Sequence, residues 1–428
     1  MKSSTTSRLS SEVEHIHGKD GVSGSTPEGG SSEINMKTYL FVLGRNPILS
    51  RSELEPFCDE VLYAEDKSLM LVENIKFENP RDLPKSPEQI FLDRLGGTIR
   101  MGEVLGECKS EKEVQDKIIE QIQSDKPEGK VQLGVSAWGC GNTFLRHFLP
   151  EMKNALRDQH DRNCRIVNAP GKNLDSGKIF GEKLLKKGFE FLVWKRKDSF
   201  LVAKTAANQN LRNYVLRDRD KDFRDARMGM LPPKVAQILL NLANPEWEDV
   251  VIDPFCGSGT VNIEAAITGY KTIGSDLDEK RTGKAKENFE QMSDKFRYDI
   301  TSGEFFAGDA MKFPLKKASG VIVTEGFLGD VFEKHATPQS IADAGRLILR
   351  MWEKVLAHLE DSSVHTIALC LPAWKFKGKT ISISEDLFAK IEKSSYIPSA
   401  LFEGKRTFIY SRPDSFVGRE ICVLKKRS

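Results

Sequence analysis

A short apolar run enters a glycine turn and then a helix at Val250-Val251-Ile252-Asp253-Pro254-Phe255-Cys256-Gly257-Ser258-Gly259-Thr260. This feature constrains the fold more than any other in the chain. A buried strand leading into such a turn belongs to an α/β sheet, where backbone N–H groups and a helix N-terminus meet a ligand without Cβ interference. No G-K-[ST] follows, which argues against a phosphate-gripping loop, and the G-x-G-x-x-G dinucleotide pattern is absent. An adenosine lacking a pyrophosphate is the reading that remains.

Two acids support it. Asp276 closes the next strand (T-I-G-S-D), where a carboxylate can accept both ribose hydroxyls, and Asp309 follows the third (F-F-A-G-D-A), where it can receive an adenine amino group. A single strand-end Asp is usually a turn or cap residue, but the ordered set of glycine turn and two acids points to an S-adenosylmethionine pocket. Its candidate residues are Asp253, Phe255, Gly257, Gly259, Thr260, Asp276, Asp309 and Ala310.

The surrounding pattern agrees. From about residue 249, strands at 249–255, 271–276, 304–308, 320–325 and 365–371 alternate with helices at 260–269, 278–293 and 339–360, and a shorter helix lies near 385–392. Runs at 406–411 and 418–425 are expected to pair antiparallel, which gives a seven-stranded sheet with a reversed last strand. Upstream, 38–43, 60–65, 68–73 and 98–105 read as strands and 50–58 and 87–95 as helices, a βαββαβ order that suggests a ferredoxin-like module. Ser50 and Glu53 have capping-box spacing; Ser86, Pro87, Gly96 and Gly97 bracket the second helix. A further mixed segment has helices at 110–124, 145–158 and 174–187 and strands at 131–137, 163–168, 189–195 and 199–205.

Composition excludes several classes. No apolar run approaches the roughly 18 residues of a membrane helix. Seven scattered cysteines, none spaced C-x-x-C, fit neither a disulfide framework nor a zinc site, and a reducing cytoplasm is expected. Residues 1–35 are rich in Ser, Thr and Gly and read as a disordered tail in which His15 and His17 are solvated spacers; no metal site is expected. The net charge of +2 hides an asymmetry, because residues 141–234 hold 21 Lys or Arg against 11 Asp or Glu. That excess suits a polyanion surface. The neighbouring Phe189, Phe191, Trp194 and Phe200 are expected in the core of strands.

These motifs carry a resemblance. D-P-F-C-G-S-G-T resembles the first motif of amino-directed nucleic-acid methyltransferases, and R-D-A-R-M-G-M-L-P-P-K-V-A-Q (224–237) is very similar to the preceding segment of THUMP-containing tRNA guanosine N2-methyltransferases. Phe41-Val42-Leu43-Gly44-Arg45-Asn46-Pro47 and Lys183-Leu184-Leu185-Lys186-Lys187-Gly188 agree with it. The resemblance, to the enzymes acting at position 10 of tRNA, implies an α/β chain. It would have a tail (1–35), a ferredoxin-like domain (36–106), a THUMP-like RNA-binding domain (107–206), a linker (207–232) and a Rossmann-like class I methyltransferase domain (233–428). It implies S-adenosylmethionine as cofactor, tRNA as partner, an optional small activating subunit, no membrane and a cytoplasmic location. Arg217 and Arg224 are the implied RNA phosphate contacts.

One motif departs from the family. Where its members carry [DN]-P-P-[FY] to receive the amine and stack the base, this chain reads Val323-Thr324-Glu325-Gly326-Phe327-Leu328-Gly329. Without a gap, Glu325 takes the acid position and Leu328 the aromatic one; shifted by one, Thr324 becomes the acceptor and Phe327 the stacking ring. Glu325, Phe327 and Thr324 are therefore the catalytic candidates. Amino-methylation of DNA or another RNA, and a non-catalytic donor- and RNA-binding role, stay open as alternatives.

Overall fold

In the computed structural model, the described residues are 37–62, 66–75, 77, 83–221, 223, 230–296, 300–312, 318–329, 336–413 and 415–427. The expected tail lies outside them. The N-terminal half contains strands β1 (Thr38–Leu43), β2 (Cys58–Leu62), β3 (Leu69–Ile75), β4 (Thr98–Cys108), β5 (Val131–Trp138), β6 (Cys164–Ile166), β7 (Gly188–Lys195) and β8 (Phe200–Asn208). Its helices are α1 (Pro47–Leu54), α2 (Pro87–Arg94), α3 (Glu111–Ser124), α4 (Phe144–His160), α5 (Ser176–Gly181), α6 (Leu184–Lys187) and α7 (Leu211–Arg219). The β1-α1-β2-β3-α2-β4 order is the βαββαβ arrangement read from the sequence.

The two upstream modules share one sheet. Its order is β2-β3-β1-β4-β8-β7-β5-β6, and β4 pairs with β8 from Arg100↔Asn208 to Cys108↔Phe200. One face of this sheet packs Leu40 and Val42 of β1 with Leu192, Trp194, Leu201 and Ala203 of β7 and β8. Phe189, Phe191, Trp194 and Phe200 are all buried, as expected. Across the seam, Arg100 of β4 forms a buried ion pair at 2.5 Å with Glu190 of β7, whose carboxylate also accepts from Ser136 and Thr205. Removing one partner of such a pair would strand a buried charge, so it fixes the register of the two modules.

The C-terminal half contains α8 (Pro233–Ala243), α9 (Thr260–Thr268), α10 (Glu279–Phe296), α11 (Pro338–Leu359) and α12 (Ser384–Lys390). Its strands are β9 (Val250–Asp253), β10 (Lys271–Asp276), β11 (Gly303–Ala307), β12 (Ser319–Thr324), β13 (Ser363–Phe376), β14 (Lys379–Ser382), β15 (Tyr396–Pro398), β16 (Thr407–Tyr410) and β17 (Val417–Lys426). The main path is β11-β10-β9-β12-β13-β17-β15, with β14 attached to β13 and β16 to β17. Strands β9 to β13 run parallel, and β17 runs antiparallel to both β13 and β15. This is the seven-stranded class I methyltransferase order with its reversed strand. Apolar clusters cover both faces: α11 with β13 on one, α8 and α9 with β9 and β12 on the other.

Several expectations change. The first helix begins at Pro47 rather than near 50, and Ser50 and Glu53 do not form a capping box. Both face inward: Ser50 Oγ donates to the Gly97 carbonyl at 2.8 Å, and Glu53 accepts from the N–H groups of Gly96 and Gly97 at 2.7 Å each. Glu53 also accepts from Asn241 Nδ2 of α8 at 2.7 Å, which ties the N-terminal module to the C-terminal half. The glycines are required by contact, while helix α2 itself ends at Leu95 in extended backbone. A Cβ on Gly96 would lie 2.0 Å from the Lys234 carbonyl oxygen, closer than any atom can approach. The helix expected over 174–187 breaks at Lys183, which takes φ +53. Helices α7 and α8 and strands β14 and β15 had no counterpart in the sequence pattern, and β15, not the 406–411 run, continues the main sheet.

Gln209 and Asn210 follow β8 directly and tie it to its surroundings. The Gln209 amide donates to the Thr98 carbonyl and accepts from Lys234 Nζ at 2.7 Å, and Asn210 caps α7 through the Asn213 N–H.

Candidate functional site

A cavity of about 1390 Å³ opens at the C-terminal ends of β9, β10, β11 and β12. Crevices outside the carboxyl ends of parallel strands are where open α/β sheets bind ligands. Its wall includes Asp253, Phe255, Gly257, Thr260, Asp276, Asp309, Ala310, Glu325 and Phe327. The topology therefore gathers most of the sequence candidates into one cleft.

The glycine turn is held from both sides. Gly257 and Gly259 take φ +52 and +78, a region that L side chains rarely occupy. The Gly257 N–H donates to Asp276 Oδ2 at 3.1 Å, and Asp276 Oδ1 accepts from the Asp278 N–H at 3.0 Å. Gly259 is not part of the cavity wall. It is the N-cap of α9 and packs against Ala285 of α10, so its role is to shape the turn.

Asp309 is anchored through Oδ1 to the Met311 N–H at 3.0 Å and pairs with Lys312 at 3.3 Å, on the rim beside Ala310. Asp253 acts beneath the turn: its carboxylate accepts from the Phe255 N–H at 3.1 Å and bonds the Thr324 hydroxyl. Burial pushes the Asp253 carboxyl up to about 7, against the lowering effect of those hydrogen bonds.

The opposite end of the cavity is formed by residues 325–329, Phe416, Val417 and Arg419, with Leu347, Arg350, Met351 and Lys354 of α11. Glu325 is engaged by the Arg419 guanidinium of β17. Burial pushes the Glu325 carboxyl up, and Arg419 opposes that shift. Gly326 and Gly329 take φ +69 and +87, so the loop turns twice through left-handed backbone. Phe327 and Leu328 both line the cavity, Phe327 packing against the α11 side of the sheet and Leu328 against the α8 side.

Two candidates are corrected. Thr324 is fully buried and outside the cavity wall; its hydroxyl accepts from the Gly326 N–H at 3.0 Å and bonds Asp253, so it braces the loop and is not an amine acceptor. Arg217 is 3% exposed and pairs with Glu264 of α9 at 2.8 Å, so it cannot meet an RNA phosphate. Its partner is a carboxylate 47 residues later in the chain. Arg224 lies outside the described residues.

Other residues at the site were not singled out in the sequence, although Met230 and Leu231 belong to the 224–237 stretch that carries the resemblance. Phe223, Met230 and Leu231 line the donor end, and Asn288 of α10 holds the linker there by accepting from the Phe223 N–H and donating to the Phe223 and Ser258 carbonyls. Arg419 lies 94 residues beyond Glu325, too distant for any local pattern. The i, i+4 pair Arg350 and Lys354 is visible as helical spacing but was not linked to the mouth of a cleft.

Comparison with known proteins adds the following. Residues 221–339 match the family described as UPF0020: RMKL-like, methyltransferase domain. A tRNA (guanine(10)-N2)-dimethyltransferase of Methanothermobacter thermautotrophicus is 33% identical over 97 residues, 23% of this chain and 27% of that protein. A tRNA (guanine(6)-N2)-methyltransferase of Thermus thermophilus is 49% identical over 65 residues, 14% of this chain and 19% of that protein. A protein-lysine N-methyltransferase of Saccharolobus islandicus is 27% identical over 142 residues, 32% of this chain and 88% of that protein. The chain thus spans about a quarter or less of the length of the two tRNA-modifying relatives.

Proposed function

We propose that the protein is an S-adenosylmethionine-dependent methyltransferase acting on the exocyclic N2 amine of a guanosine in tRNA. The observation that carries this reading is one cleft lined at one end by a glycine turn with Asp276 and Asp309, and at the other by Glu325 and Phe327. The residues fit the donor: Gly257 offers a turn with open space where a Cβ would stand, and Asp276 offers carboxylate lone pairs to vicinal hydroxyls. When bound, the donor supplies a methyl group on a sulfonium. Asp276 would hold the ribose and Asp309 the adenine edge. Glu325 would accept a hydrogen bond from the amine, and Phe327 would stack the base.

The tRNA half of the proposal draws on the named relatives and on the basic stretch, where Lys183, Lys186, Lys187, Lys195, Arg196 and Lys197 are exposed. We retain residues 107–206 as the RNA-binding unit and the cytoplasm as the location. No helix among the described residues is long and apolar enough to cross a membrane. Arg350 and Lys354, exposed one turn apart on α11 at the cavity mouth, replace Arg217 as phosphate contacts. Replacing both by alanine is expected to weaken tRNA binding about tenfold near physiological salt. It should also flatten the slope of log K against log salt by about 1.5, as two lost phosphate contacts require. An unchanged slope in filter-binding titrations would remove them from the interface.

The activity is tested by incubating the protein with methyl-labelled donor and unmodified tRNA and digesting the product to nucleosides. Label in N2-methylguanosine is the expected result; label only in DNA, in another base or in protein lysine would overturn the substrate.

A second reading is favoured by the Arg419 pair and the left-handed loop. In it, Glu325 is committed to Arg419 and the protein binds donor and RNA without transfer. Saturable binding of both with no label in any nucleic acid is its signature.

A further inference from the structure

Lys221, on the segment that leads from α7 to the donor end of the cleft, is 5% exposed. Its ammonium donates to Thr260 Oγ1 at 2.8 Å. Thr260 is the first residue of α9, lines the cavity and has its hydroxyl 3.4 Å from Ser258 Oγ. A threonine hydroxyl has one proton to give. With the ammonium donating to its oxygen, that proton is directed to Ser258 or to an acceptor in the cavity that both residues line.

The surroundings favour an anion at this point. Gly259 caps α9 without any side chain, so the first-turn N–H groups have no side-chain cap and form the positive end of the helix dipole. The charged groups that act on Lys221 are Glu264 of α9 and Asp218 and Arg217 of α7. Of these, Glu264 is already engaged by Arg217 at 2.8 Å, and Asp218 is exposed. Burial pulls the ammonium down to about 8, so near neutral pH it is mostly charged.

We infer that Lys221 is the counter-charge for the carboxylate of the donor's amino-acid tail, acting through the Thr260 hydroxyl as a positioning residue. The inference rests on the donor reading given above and deepens it. It assigns to the linker, rather than to the sheet, the choice between ligands that carry this tail and ligands that do not. A bound carboxylate stabilises the protonated lysine, so the preference for tailed ligands is greatest below pH 8 and declines above it.

Two ligands separate these effects. S-adenosylhomocysteine and 5′-methylthioadenosine share the adenosine and the thioether, and only the first has the amino-acid tail. Calorimetric titration of the full chain with each should show a preference for S-adenosylhomocysteine. In Lys221→Met its affinity should fall about tenfold while that of 5′-methylthioadenosine holds, and the loss of preference above pH 8 should disappear. Lys221→Arg should keep the preference. Should Lys221→Met not fold, Thr260→Val, which keeps the ammonium and removes the relay hydroxyl, carries the same comparison. Equal weakening of both ligands, or no weakening of either, overturns the inference and leaves the donor reading intact. A wild-type protein that binds neither ligand overturns the donor reading itself.

Discussion

Replacing Asp276 by alanine is expected to weaken S-adenosylhomocysteine binding about a hundredfold, the largest effect on the ligand of any single change in the cleft. Hydrogen bonds to a charged acceptor contribute about 1.5 to 3 kcal/mol each, so a carboxylate that receives two ribose hydroxyls at once is worth about 3 kcal/mol at the low end, or two decades. The same side chain holds the Gly257 and Asp278 N–H groups, so the alanine variant also loosens the turn. Asp276→Asn is the milder change: the amide keeps one acceptor oxygen but sets its NH2 against the Gly257 or the Asp278 N–H, and it should lose about tenfold. Isothermal titration of both variants, with melting temperature as a check on the turn, measures this. Binding unchanged in Asp276→Ala would remove the ribose assignment and the proposed cofactor with it.

Replacing Glu53 by alanine is expected to cost about 3 to 5 kcal/mol of stability, although the residue is far from the cleft. Its carboxylate accepts from the Gly96 and Gly97 N–H groups and from the Asn241 amide, all in a fully buried position. Deletion leaves three buried donors without this acceptor, and each unsatisfied donor costs about 1 to 3 kcal/mol. Burial pushes the Glu53 carboxyl up to about 7 from an unfolded value of 4.5. Because the folded value is the higher one, its contribution is full below about pH 4.5 and declines as the pH rises through about 7. The deficit of Glu53→Ala, measured by urea denaturation, should accordingly be larger at pH 5 than at pH 8. A deficit under 1 kcal/mol at both would show that the junction is held by other contacts.

Glu53 also shows where local sequence misleads. Serine followed three residues later by glutamate is a helix-start pattern, and read locally it placed the first helix too late. The pattern was overridden by Gly96 and Gly97, some 45 residues away, which need acceptors and admit no side chain. Arg217 failed for the same reason, because an arginine in a basic stretch reads as a phosphate contact until Glu264 supplies a buried partner. In contrast, the strand, turn and helix around Gly257 are local, and Asp276 and Asp309 stand at the ends of neighbouring parallel strands. Parallel topology brings such strand ends together without further instruction, so that half of the site was legible. The acceptor end was less so, since Arg419 reaches Glu325 only after β17 inserts beside β13.

The loop at 325–329 carries a consequence for anyone who would convert this chain to the motif it resembles. A pyrrolidine ring fixes φ near −65°, whereas Gly326 sits at +69 with Cys370 and Trp352 close behind it. Writing prolines into positions 326 and 327 would thus twist the segment away from its neighbours instead of producing the family's clamp. A successful graft would have to exchange the whole segment together with the tryptophan that backs it.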